Sequence, residues 1–112
     1  MLKRWHHWLT TFSMAAVVAS PALAQPGITD PTRGKELAES LCSVCHDVGP
    51  GPAESAKTDI PSFFTIANRL DQSPERLAAA IILPHPEMPK VSFTNRELKD
   101  ITAYIMSLKV KQ

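Results

Sequence analysis

Cys42-Ser43-Val44-Cys45-His46 is the stretch around which the rest of the 112-residue chain is read. A C-x-x-C-H run is the signature of covalent haem attachment. Each cysteine sulfur can form a thioether with a haem vinyl group. The histidine that follows can reach the iron from the same side. Two anchors, Cys42 and Cys45, and one axial ligand, His46, therefore come from five residues.

Three other chemistries compete for these cysteines. Paired cysteines in exported proteins form disulfides. A C-x-x-C pair can also be a thiol–disulfide centre, but no strand leads into the motif and no βαβ pattern surrounds it. Zinc needs four ligands, and His46 and His85 are the histidines available beside the two cysteines once the N-terminus is set aside. The immediate histidine and the flanking sequence favour haem.

Upstream, Lys3 and Arg4 make a positive start, Leu9 to Ala19 is largely apolar, and Pro21-Ala22-Leu23-Ala24 ends in small residues. This is the pattern of a secretory signal peptide cleaved after Ala24. The apolar run is shorter than the roughly 20 residues a spanning helix needs, so no stable membrane insertion is expected after cleavage; retention as an uncleaved anchor is the alternative. Trp5, His6, His7 and Trp8 leave with the signal. The expected organisation is residues 1–24 as signal and 25–112 as one domain.

A domain of this size buries a modest core and needs a staple or a bound group. The mature chain has few aromatics, namely Phe63, Phe64, Phe93 and Tyr104, so a large apolar cofactor is expected to complete the core. Ten Lys and Arg face eleven Asp and Glu after removal of Lys3 and Arg4. That balance lacks the basic footprint of nucleic-acid binding. Lys109 and Lys111 suit a helix C-terminus and a solvated tail; a contribution to a redox-partner surface is the second reading.

Four helices are expected. Asp30 and Pro31 open the first, which runs to Leu41 with Leu37 and Leu41 on one face. Gly34 permits close approach of another helix, or is a tolerated surface glycine. Asp47 to Thr58 reads as a loop wrapping the cofactor edge. A carbonyl from Pro50 or Pro61 would accept from the non-ligating nitrogen of His46 and orient the ring. The second helix is expected from Ser62 to Leu70, with Phe63, Ile66, Ala67 and Leu70 on its apolar face. Arg69 is read as solvated, with a haem propionate as its other candidate partner. Ser73 and Pro74 start the third helix, which stops near Leu83 before Pro84 and Pro86. Thr94 and Glu97 form a capping box for a final helix reaching Lys109, striped by Leu98, Ile101, Tyr104, Ile105 and Leu108.

Between the last two helices lies Leu83-Pro84-His85-Pro86-Glu87-Met88-Pro89. Three prolines stiffen a loop that can present one side chain to a metal. Met88 is the candidate second axial ligand, since His–Met pairs bind haem iron and raise its potential. His85 is the rival ligand, though it is read first as a local hydrogen-bonding or surface residue near the haem crevice, and Met106, inside the last helix, is read as core.

Residues 31 to 109 together resemble a small single-haem class I cytochrome c. Cys42, Cys45 and His46 match the attachment and proximal-ligand motif of that family, and Met88-Pro89 matches its distal-ligand motif. The resemblance implies an all-α fold of about four short helices around one covalent haem c. In it Gly34 and Tyr104 lie where the terminal helices cross, and Ala38 takes a position usually aromatic, leaving the crossing less filled. It also implies electron transfer between redox partner proteins in the periplasm by a monomer that is not an enzyme. A haem-based ligand-binding or sensor protein and a dedicated haem subunit of a periplasmic oxidoreductase are the alternatives.

Overall fold

The computed structural model describes residues 27–52 and 59–111. The expected signal peptide and its cleavage point lie outside them. The described chain holds four helices and, among those residues, no strand: α1 (Pro31–Leu41), α2 (Phe63–Ala67), α3 (Pro74–Ile82) and α4 (Asn95–Ser107). No helix among the described residues is long and apolar enough to cross a membrane.

Each helix begins where its capping residue stands. The Asp30 carboxylate accepts from the backbone N–H groups of Thr32 and Arg33 at 3.0 and 3.1 Å. Ser62 caps α2 by accepting from Thr65 N–H, and Ser73 caps α3 by accepting from Arg76 N–H. These bonds satisfy donors that the first helical turn leaves without partners.

At α4 the capping box is complete. Thr94 Oγ1 accepts from Glu97 N–H at 3.2 Å, and Glu97 Oε2 accepts from both the Thr94 backbone N–H and its hydroxyl at 2.8 Å. The bond from the Thr94 backbone, then that from its hydroxyl, holds the Glu97 carboxyl below the ordinary glutamate range. Such a group stabilises the fold above the unfolded glutamate pKa of about 4.3, and its contribution is lost as pH falls through the lower folded value. Thermal midpoints measured down through the acid range should therefore fall more steeply for the native chain than for Glu97→Gln. Thr94→Ala, which removes the side-chain half of the box, is expected to lower stability by about 1 kcal/mol in denaturant unfolding.

The most extensive helix contact joins α1 to α4, with α2 and α3 packed more lightly on α4. Gly34 makes the crossing possible. A Cβ at that position would lie 1.9 Å from the Asp100 carbonyl oxygen. Ala38 is fully buried and Tyr104 nearly so, and the close approach covers the small side chain. Ala38, Phe63, Ala67, Leu77, Ile101, Tyr104, Ile105 and Leu108 form one core drawn from all four helices and the end of α4.

Asp100 is a fully buried carboxylate on the α1 side of α4. Its Oδ1 accepts from the Asp30 backbone N–H at 2.8 Å. Its Oδ2 lies 3.2 Å from the Arg33 guanidinium, close enough for charge pairing without an aligned hydrogen bond. A buried charge needs such partners. Asp30 thus closes the start of α1 through its side chain and fastens α1 to α4 through its backbone.

The second helix is shorter than the sequence suggests. It ends at Ala67, and Leu70, expected on its apolar face, is 93% exposed. Asn68 explains the difference. Its Nδ2 donates to the carbonyls of Phe64 and Leu108 at 2.8 and 3.3 Å, and its Oδ1 accepts from Val110 N–H at 2.9 Å. A side-chain amide that binds nearby carbonyls competes with helix continuation. Here it ends α2 and ties the tail beyond α4 to it. Helix α4 likewise stops at Ser107, with Leu108 as its cap, short of Lys109.

Candidate haem site

The attachment motif continues directly from α1. Cys42 caps that helix by donating its N–H to the Ala38 carbonyl at 2.8 Å. Cys45 and His46 then fold back, their N–H groups donating to the Cys42 carbonyl at 3.1 and 2.9 Å. This turn brings Cys42, Cys45 and His46 to one wall of a shared cavity. Cys42 and Cys45 form no disulfide. Burial, with a smaller contribution from neighbouring Cys45, pushes the Cys42 thiol above its ordinary pKa.

The loop after the motif is pinned near both ends. Phe63 N–H donates to the Asp47 carbonyl at 2.8 Å, and Asp47 Oδ1 accepts from Gly49 N–H at 2.9 Å. The Tyr104 hydroxyl donates to the Val48 carbonyl, fastening the loop to α4. Residues 53–58 of the loop lie outside the described chain.

His46 Nδ1 lies 2.8 Å from the Pro61 carbonyl oxygen. A carbonyl can only accept, so Nδ1 carries a proton, and in the neutral ring the lone pair lies on Nε2. Of the two carbonyls weighed from sequence, the structure selects Pro61. Phe63 supports the ring from the side, with centroids 5.5 Å apart and planes inclined by 46°.

The facing wall comes from the proline-stiffened loop. Met88 N–H donates to the His85 carbonyl at 2.9 Å, closing a four-residue turn with Pro86 second. Proline suits that position because its fixed φ matches the turn. Met88 is half-buried, His85 is exposed, and both line the cavity.

The cavity has a volume of about 380 Å³. Its apolar walls include Phe63 and Ile66 from α2, Leu77 and Ile81 from α3, and Ile101 and Ile105 from α4. Leu41 and Ala80, exposed to solvent, line it as well. A haem fits this donor set and these walls: two thiols from one turn, one oriented imidazole, and apolar surfaces for the macrocycle. The competing zinc reading finds no support, since no group of three or more His, Cys, Asp or Glu among the described residues could hold a metal ion.

Sequence reasoning missed two elements that hold the site in place. Asp100 sits one helical turn before Tyr104, so a carboxylate on the apolar stripe was visible, but its partners lie 70 residues away. The Asn68 bonds to Leu108 and Val110 had no local signal. Arg69, read as solvated, is exposed but also lines the cavity, where it is the sole lysine or arginine among the described residues.

Four short helices and an attachment motif opening into one apolar cavity define a small all-α covalent haem protein. A family model for cytochrome c matches residues 31–109. The chain belongs to the cytochrome c family, as a small class I member. It is 43% identical over 91 residues to cytochrome c-552 of Bradyrhizobium diazoefficiens, an alignment covering 81% of this chain and 83% of that protein. No solved structure matches it. Membership assigns one haem c, bound covalently through Cys42 and Cys45, and an electron-transfer role rather than catalysis on a substrate.

Proposed function

We propose that the protein is a periplasmic carrier that moves single electrons between redox partner proteins on a haem ligated by His46 and Met88. The observation that carries this reading is the His46 Nδ1 bond to the Pro61 carbonyl, which leaves Nε2 available in a cavity that Met88 also lines. The bound haem supplies a one-electron ferric–ferrous couple.

The chain's own residues set the conditions for that couple. The Pro61 carbonyl fixes the imidazole tautomer and raises its basicity as a ligand. The Met88 thioether is a soft donor that favours the reduced iron and raises the potential. Leu77, Ile81, Ile101 and Ile105, which line the cavity, would keep water away from the macrocycle. Arg69, exposed and lining the cavity, would offer a positive charge to the haem carboxylates. Held by both His46 and Met88, the iron would be closed to oxygen and peroxide.

Export with cleavage after Ala24 brings the chain to the compartment where haem attachment and partners are found. Encounters between electron carriers and their partners use small, weak interfaces, which suits a monomer that docks and leaves. The test is the ferric absorption spectrum of the haem-loaded protein. A weak sulfur-to-iron charge-transfer band in the red should be present in the native chain, kept in His85→Ala and lost in Met88→Ala. Its absence from the native spectrum would overturn Met88 ligation.

A further inference from the structure

Three residues of one turn, His85, Glu87 and Met88, line the cavity, and the proposed function uses only Met88. His85 and Met88 are the first and last residues of the turn closed by the 2.9 Å bond from Met88 N–H to the His85 carbonyl. The α-carbons at the ends of such a turn lie within about 7 Å of each other. Met88 sits on the inner, half-buried side and His85 at the exposed rim. The His85 ring makes no hydrogen bond or ion pair with the described residues, and among them nothing ties it away from the cavity that it lines.

We propose that His85 is a standby axial donor, whose imidazole takes the iron position opposite His46 when the Met88 thioether is lost. This rests on Met88 being the resting ligand. Imidazole is a good ligand for iron, whereas the carboxylate of Glu87, which also lines the cavity, suits harder ions. Pro84, Pro86 and Pro89 restrict the backbone on either side, so the exchange is made by side-chain rotation and a small shift of the turn. Replacing a thioether by imidazole lowers the potential. The carrier would then retreat to a low-potential, six-coordinate state instead of opening its iron to small ligands.

The test uses haem-loaded native protein, His85→Ala, Met88→Ala and the double variant at neutral pH. Spin state is read by absorption and electron paramagnetic resonance, the midpoint potential by redox titration, and iron access by carbon monoxide binding to the ferrous form. Native protein and His85→Ala should share the same low-spin spectrum. Met88→Ala should remain low-spin with a lowered potential and resist carbon monoxide. The double variant should become high-spin and bind it rapidly. A high-spin Met88→Ala identical to the double variant would overturn the standby role while leaving Met88 ligation intact. A low-spin double variant would overturn it too, by placing the donor elsewhere. Conversion of His85→Ala alone to high spin would overturn both readings, because His85 would then be the resting ligand.

Discussion

Chain that acquires no haem is expected to lose its near-UV circular dichroism while keeping part of its far-UV helical signal. The reason is the size of the space the helices enclose. The cavity holds about 380 Å³ between walls that are largely apolar, and without the ring those walls face water instead of a packed partner. The walls are contributed by α2, α3 and α4 together, so an unfilled cavity loosens all three. Secondary structure without fixed packing is the state to expect. A native-like near-UV spectrum from the haem-free chain would show that the protein core holds without the ring.

Gly34→Ala is expected to be strongly destabilising for a change of one methyl group. Two effects oppose each other. Alanine in a helix gains about 1 kcal/mol over glycine. The added Cβ, however, would lie 1.9 Å from the Asp100 carbonyl oxygen, 2.5 Å from its carbon and 3.0 Å from Tyr104 Cβ. Two of these atoms are backbone, so no rotamer change relieves the clash. Overpacking costs about 1–3 kcal/mol and occasionally more. Separating α1 from α4 also disturbs the buried Asp100 and its bonds to Asp30 and Arg33. The net loss should reach about 2 kcal/mol or more despite the helix gain. Denaturant unfolding of the haem-loaded variant would measure it. An unchanged or raised midpoint would mean that the crossing yields more easily than its geometry indicates.

Local chemistry was legible. Asp30, Ser73 and the Thr94–Glu97 pair mark helix starts because a cap needs only its own next few residues. The attachment motif is legible for the same reason, since its anchors and imidazole are contiguous. Gly34 was ambiguous because a glycine's purpose depends on what crosses it. Pro50 and Pro61 were equivalent on paper, and only the path of the loop brings Pro61 to His46. Asn68 shows the opposite limit. Helical spacing placed Leu70 inside, but a carboxamide with partners near residue 108 ended the helix first.

The pairing of α1 with α4 also imposes an order of events. These helices stand at opposite ends of the domain, so their contact spans almost its full length in sequence. In a chain that emerges N-terminus first, Cys42 and Cys45 appear well before Gly34 can meet Asp100. Until residues 95–107 arrive, α1 has no surface to close against, and the two thiols stand beside an unfinished fold. The attachment motif thus stands early in the chain, and the helix that closes against α1 comes last.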